Sequence, residues 1–340
     1  MKLRLGTRGS DLALTQSRWV ASALAARGVS VELVTITTSG DRSTAPSFGA
    51  IGPQGVFVRE IEQALLAREI DLAVHSFKDL PTSSPPDLIV AAIPARRDPA
   101  DWLLYGIKCQ TLNSDESCLA RIPSGARLGT ASARRRAWVG HFRPDLDVVS
   151  LRGNVPTRIR RLATGDYDAI LLAGAGIERL NEASDLLADS LAVIERERLD
   201  PLEFVPAPAQ GALAVQCRTG DADIRAAIAT LDDVDTRAAV TLERAALALA
   251  EGGCDTAFGA FARRTAAGME LRVMTERDGR ILASQVSGGT DDSLPARAIA
   301  SLGARSMPET DPDSGGDPGR GSDPGRGRGG DPDRDPPRRR

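Results

Sequence analysis

Through the first two thirds of the chain, short runs of Leu, Val and Ile alternate with longer stretches of helical periodicity. Such alternation packs as parallel strands covered by helices, because each helix returns the chain to start a strand in the same direction. LRLGT (3–7) reads as a strand. SDLALTQSRWVASALAARG (10–28) reads as a helix with Ser10 as N-cap and Gly28 as its stop. VSVELVTITT, VFVREIEQALLARE, IDLAVHS and LIVAAIP continue the pattern as strand, helix, strand and strand, which breaks at RRDPAD (96–101). It resumes with the strand ARLGT, a helix through SARRRAWVGHF, LDVVSLRG, a helix through VPTRIRRLATG, and DAILLAGAG. The expectation is α/β, with a second unit following the first. PLEFVPAPAQGALAVQCR (201–218) is Pro-rich and then strand-like, as a crossing back into the first unit would be.

From Asp221 the periodicity changes. Two helices are expected, the second with Val234, Ala238, Leu242, Ala245 and Leu249 along one face. AFGAFARR, MELRVMTE and RILASQVS then read as strands and PARAIASLG as a weak helix, which together make a small α+β domain. The expected division is 1–95 with 203–220 as domain 1, 96–202 as domain 2, 221–305 as domain 3, and 306–340 as a tail. After Met307 there is no Val, Ile, Leu or aromatic residue, so the tail has no apolar surface to offset its conformational entropy and is expected to be disordered.

A net charge of −3 argues against a general nucleic-acid binder, which needs a cationic surplus to displace counterions. No export signal and no run of 18 apolar residues is visible, so the expected setting is the cytoplasm, with no membrane partner. No long apolar stripe asks for a partner, and a monomer is expected. Cys109, Cys118, Cys217 and Cys254 form no CxxC pair, and only His75 and His141 could join them, so no metal site is expected. The first three read as small buried apolar residues. Cys254 differs, because it follows two glycines at the end of a helical pattern.

Three segments place cations where a strand gives way to a helix. GTRGS presents Arg8 and Ser10, GTASARRR presents Ser132, Arg134 and Arg135, and LRGNVPTR presents Arg152, Asn154 and Arg158. A helix N-terminus attracts anions, and arginine forks match carboxylates or phosphates, so a polyanionic ligand is indicated. There is no GxxxxGK[ST] loop and no GxGxxG after a strand, which argues against a nucleotide. HSFKDLP (75–81) adds Lys78 and Asp79 at a strand end. Adjacent opposite charges on a loop are often only a surface pair, but in a cleft lined by arginines Asp79 would stay ionised at neutral pH and stabilise a developing cation.

Taken in order, GTRGSDLALTQS, HSFKDLP, GTASARRR, LRGNVPTR, APAQGALAVQCR and EGGCDTAFGA resemble the porphobilinogen deaminase (hydroxymethylbilane synthase) family over about residues 3 to 303. The resemblance implies two lobes like those of type II periplasmic binding proteins and a small third domain. It also implies a dipyrromethane cofactor joined to Cys254 through a thioether, and an enzyme that condenses four porphobilinogen units in turn. Asp79 matches the catalytic aspartate. Lys78, Ser10, Ser132, Arg134 and Arg135 match cofactor-binding positions, and Arg8, Arg152 and Arg158 match substrate-binding ones. Three departures stand out. IGPQG puts Gln54 where a lysine is usual, on a stretch (39–55) expected to act as a lid; Ala133 replaces a leucine; and the third domain ends early. A non-catalytic anion-binding protein of the periplasmic type is the alternative, and a ligand-sensing regulator a weaker one. Neither needs the Gly-Gly-Cys loop.

Overall fold

A computed structural model describes residues 1–36, 53–109, 119–184, 187–250, 257–289 and 293–302, with the backbone alone at 53–57 and 108. The expected lid, Cys118, Cys254 and the tail therefore lie outside the described residues or, for Gln54, outside the described side chains.

The first sheet collects β1 (Lys2–Thr7), β2 (Ser30–Thr35), β3 (Leu72–Ser76) and β4 (Leu88–Ala92). Between them run α1 (Asp11–Ala25) and α2 (Pro53–Leu66). The second sheet collects β5 (Asp101–Tyr105), β6 (Arg127–Gly129), β7 (Asp147–Val149), β8 (Ala169–Ala173) and β9 (Arg196–Arg198). Its helices are α3 (Ala133–Phe142), α4 (Val155–Ala163), α5 (Gly174–Ala183) and α6 (Ala188–Val193). β10 (Leu213–Arg218) then returns to the first sheet, and α7 (Ala222–Ala229) and α8 (Val234–Leu249) follow it. An antiparallel sheet of β11 (Phe258–Thr265), β12 (Gly268–Arg277) and β13 (Arg280–Gly288) comes next, with α9 (Ser293–Ala300) after it.

The two large sheets share a plan. Their orders are β2-β1-β3-β10-β4 and β7-β6-β8-β5-β9, with three parallel strands and one antiparallel strand inserted between the third and the edge. These are the two α/β lobes expected, joined by crossings at 93–100 and 199–212. Each lobe has its own core, built on Leu5, Leu72 and Val215 in one and on Leu104, Ile170 and Leu172 in the other. A fully buried leucine contributes roughly 2 kcal/mol. Trp138 joins the second lobe to the third sheet, packing in one cluster with Met274 and Ile281.

Five elements differ from expectation. β5 and α5 went unread, since DWLLY follows a Pro-rich break and GAGIERLNEA opens on two glycines, and the short α6 and β9 went unread as well. On α8 the anticipated stripe holds in the middle, where Leu242 is buried and Ala238 and Ala245 are partly buried, but fails at its ends, because Val234 and Leu249 are 75% and 51% exposed while Thr236, Ala239, Val240, Glu243 and Ala246 are buried. Tertiary hydrogen bonds explain the swap. The Glu243 carboxylate accepts from Arg96 Nη1 at 2.8 Å, from Ala209 N at 2.7 Å and from Ala262 N at 2.8 Å, so one acid ties both crossings to the third sheet. Thr236 Oγ1 accepts from Arg96 N at 3.1 Å. The crossings also touch directly, with Arg97 N donating to Gly211 O, and Gly211 (φ +87) is needed there because a Cβ would run into the Arg97 carbonyl.

Candidate functional site

Each of the three arginine-bearing segments noted above begins a helix. Ser10 Oγ accepts from Ala13 N, Ser132 Oγ from Arg135 N and Asn154 Oδ1 from Thr157 N, so each caps its helix and orients the first turn. The two serines matched to cofactor binding are thus bound to their own helices, with hydroxyl protons still available to donate.

Arg134 and Arg135, at the start of α3, are buried and face the fully buried Asp101 at the head of β5. Arg134 Nη2 donates to Asp101 Oδ2 at 2.7 Å and its Nη1 to Val205 O at 2.8 Å. Arg135 donates through Nε and Nη2 to Asp101 Oδ1 at 3.1 and 2.7 Å, and through Nη1 to Leu171 O at 3.1 Å. Gln210 Nε2, from the second crossing, reaches the same Oδ1 at 2.9 Å. Burial alone would raise this carboxyl, yet the two guanidiniums overcome it and hold Asp101 well below the usual carboxylate range. The arginines are therefore set in place from behind, with only their remaining N–H groups left for a ligand.

Gln210 links this nest to the second one. Its Oε1 accepts from Lys78 Nζ at 3.2 Å. Lys78 and Asp79 lie on a single 3-10 turn, Phe77–Asp79, directly after β3. Burial pushes the Lys78 ammonium down to about 8; Asp79 offsets part of this, and Arg135 adds to it. For Asp79 burial again comes first and raises the carboxyl above its ordinary value, against the pull of Lys78, Arg8 and Arg135. Desolvation therefore outweighs three cations in setting the direction of this shift. Among the described residues no hydrogen bond reaches the Asp79 carboxylate.

Arg158, whose Nε donates to Gly153 O at 2.7 Å, is lowered by burial and by Arg135. Arg135 thus acts on Lys78, Asp79 and Arg158, Arg134 acts on Lys78 and Arg8 acts on Asp79, which links the six into one electrostatic cluster. Arg152 is not among them, and its side chain is exposed. Five cations against Asp79 and Asp101 leave a positive surplus that a polycarboxylate would relieve, and this donor set fits a ligand bearing acetate and propionate arms. Cys254 lies outside the described residues.

Several residues here were not singled out from sequence. Asp101 and Gln210 sat in Pro-rich stretches, the first read only as a break and the second as a crossing within the APAQGALAVQCR motif, and neither was given a role. Arg179 on α5 was also missed. Burial and the neighbouring Arg97 push it down to about 10, and its Nη2 donates to Gly211 O at 2.8 Å. It lines a cavity of about 370 Å³ between α1 and α5, with Arg18, Trp19 and Glu182. None of the cations grouped about Asp79 lines that cavity, so the cavity and the chemical cluster are different places. His75 forms a buried chain, its Nε2–H donating to Gln216 Oε1 at 3.0 Å while Gln216 Nε2 donates to Glu62 at 3.0 Å. Burial pushes the imidazole down to about 4, with Gln216 offsetting part of the drop, so it is neutral at working pH and serves as a strut.

A family model described as porphobilinogen deaminase, dipyromethane cofactor binding domain, matches residues 3–226. The chain belongs to the porphobilinogen deaminase family. It is 46% identical over 281 residues to a porphobilinogen deaminase of Mycolicibacterium paratuberculosis, covering 82% of this chain and 80% of that one. To a porphobilinogen deaminase of Mycobacterium tuberculosis it is 45% identical over 279 residues, covering 82% of each. Among solved structures it is similar to an ancestral cationic amino acid solute binding protein, with a TM-score of 0.40 and 14% identity over 68% of this chain and 87% of that chain. Dipyrromethane is the cofactor of this family's binding domain, and the cation cluster lies within the matched residues.

Proposed function

We infer that the chain is a transferase that condenses four porphobilinogen molecules head to tail onto a dipyrromethane primer. Ammonia is lost at each step and the linear tetrapyrrole hydroxymethylbilane is released by hydrolysis, a reaction of porphyrin and heme biosynthesis. The observation that carries the mechanism is the division of labour between two carboxylates that both feel Arg135. Asp101 is fully hydrogen-bonded, whereas Asp79 is half-buried, raised, and without a hydrogen bond among the described residues. Pairs of acids driven apart in this way mark separate structural and chemical roles.

Bound at Cys254, dipyrromethane supplies the pyrrole carbon that is extended. Lys78, Ser10, Ser132, Arg134 and Arg135 would hold its carboxylates, and Arg8, Arg152 and Arg158 those of the incoming substrate. Asp79 then sets its charge against the substrate's methylene carbon, where the C–N bond breaks and the electron pair leaves with ammonia. Water excluded around a half-buried acid makes that charge worth more at the transition state. The 3-10 turn holds the carboxylate and Lys78 on adjacent residues, so an anion for the developing cation and a cation for a carboxylate arm arrive together.

The domain division into 1–95 with 203–220, 96–202 and 221–305 is supported by sheet membership, since β10 pairs with β3 and β4 of the first sheet. Among the described residues no helix is long and apolar enough to cross a membrane. We further propose a cytoplasmic monomer. Intact mass tests the reading: purified protein should exceed its sequence mass by one dipyrromethane, and Cys254→Ser should lack the increment. An active protein of unmodified mass would reject it.

A further inference from the structure

The turn that carries Asp79 is held by a residue of another sheet's helix. Arg244, on α8, donates through Nη1 to Phe77 O at 3.3 Å and Leu80 O at 2.9 Å, and through Nη2 to Pro81 O at 2.5 Å. Its guanidinium also lies over the Phe77 ring, 4.3 Å from the centroid. Phe77 and Leu80 are buried, and within the turn itself Leu80 N donates to Phe77 O, with no side-chain cap at Ser76. Three backbone acceptors on one short turn are thus gathered by a single planar fork. Only arginine has the donors to do this while stacking on an aromatic ring.

The neighbouring residue on α8 is Glu243, which fastens the same helix to both crossings and to β11. The helix ends at Leu249, and the chain continues towards Cys254. Consecutive residues therefore grip the crossings between lobes and the Asp79 turn, and the grip sits on the helix that leads to the cofactor cysteine. We propose that Arg244 is a positioning residue that holds the Phe77–Pro81 turn, and with it Asp79, in register with the helix leading to Cys254. The proposal rests on the reading of Asp79 as the carboxylate that serves the reaction.

Without the fork, the turn loses three acceptor contacts and Asp79 gains freedom to reach water. The charged groups that act on Asp79 are Lys78 on its own turn, Arg8 from the β1–α1 junction and Arg135 from α3, and all three favour its ionised form. Burial is what raises it, so release from burial lowers its pKa, and an acid limb of kcat governed by it moves to lower pH.

The test uses full-length Arg244→Met and Arg244→Lys, with primer content measured by intact mass and kcat expressed per primed molecule. The Met variant should lose about 10- to 100-fold in kcat with little change in KM, as a small misplacement does. Its acid limb should shift to lower pH, and the 77–80 amides should exchange about tenfold faster or more while the first-sheet strands keep their protection. The Lys variant, a point charge without the fork, should stay at least about fivefold down. Wild-type turn exchange in Arg244→Met, full recovery by Lys, or loss of protection throughout the molecule would overturn the clamp. Asp79→Asn is measured alongside. If it turns over normally the reading of Asp79 fails, and the exchange experiment alone then decides for or against the clamp.

Discussion

Asp101 and Asp79 stand in one neighbourhood, share Arg135 as a charged neighbour, and are pushed in opposite directions. Asp101 is enclosed by donors from Arg134, Arg135 and Gln210, and its charge is stabilised more than its burial costs. Asp79 feels cations without receiving their hydrogen bonds, and burial prevails. Coulomb attraction at a distance does not replace N–H groups directed at the oxygens. The satisfied acid is a structural fixture, and the unsatisfied one has its strongest interactions still to make, at the moment charge develops on a substrate.

Removing the satisfied acid should produce the largest effect. Asp101→Ala leaves Arg134 and Arg135 buried without a counter-charge and should cost about 3–5 kcal/mol in chemical denaturation. A loss under 1 kcal/mol would mean the pair is no such fixture. Asp79→Asn should do the reverse, losing about 10²–10³ in kcat while retaining primer, because shape is kept and charge is not.

The same variant sharpens the comparison through pH. A carboxyl raised in the folded state favours folding in its protonated form, so that stability is fully present below the unfolded value of about 3.9 and is lost as pH rises through the raised value. Asp79→Asn should therefore melt at or above wild type at neutral pH, an advantage that vanishes in acid. A lower melting temperature at pH 7 would contradict the assignment of desolvation as the dominant influence. For Asp101, held low, the stabilisation is present above the unfolded value and declines as pH falls below it.

Arg134→Leu should impair primer assembly as well as stability, visible as a reduced mass increment. Full wild-type loading would show that its bond to Asp101 is its whole role. The smallest effect is expected at Arg152, exposed and outside the cluster; Arg152→Ala should raise KM by about two- to fivefold with kcat little changed, as removal of uniform binding does. A large drop in kcat would place it in the cleft during turnover.

Local patterning was enough to read the strands of the first sheet, the cap Ser10, the three antiparallel strands, and the cations Arg8, Lys78, Arg134, Arg135 and Arg158 that come near Asp79. Each of these depends on propensity, periodicity or chemistry carried within a dozen residues. Ordered motifs identified the family for the same reason. What the chain order could not convey was which polar groups would face each other after two crossings. Asp101 and Arg135 are 34 positions apart, Arg96 and Glu243 are 147 apart, and Arg244 and Leu80 are 164 apart. Those pairings put Glu243 inside and Val234 outside on α8, against the apolar stripe, because a buried acid with several donors is stable where an unpaired one is not. They also separated two aspartates of identical intrinsic acidity, since burial and directed hydrogen bonds exist only once the lobes and the third sheet have come together.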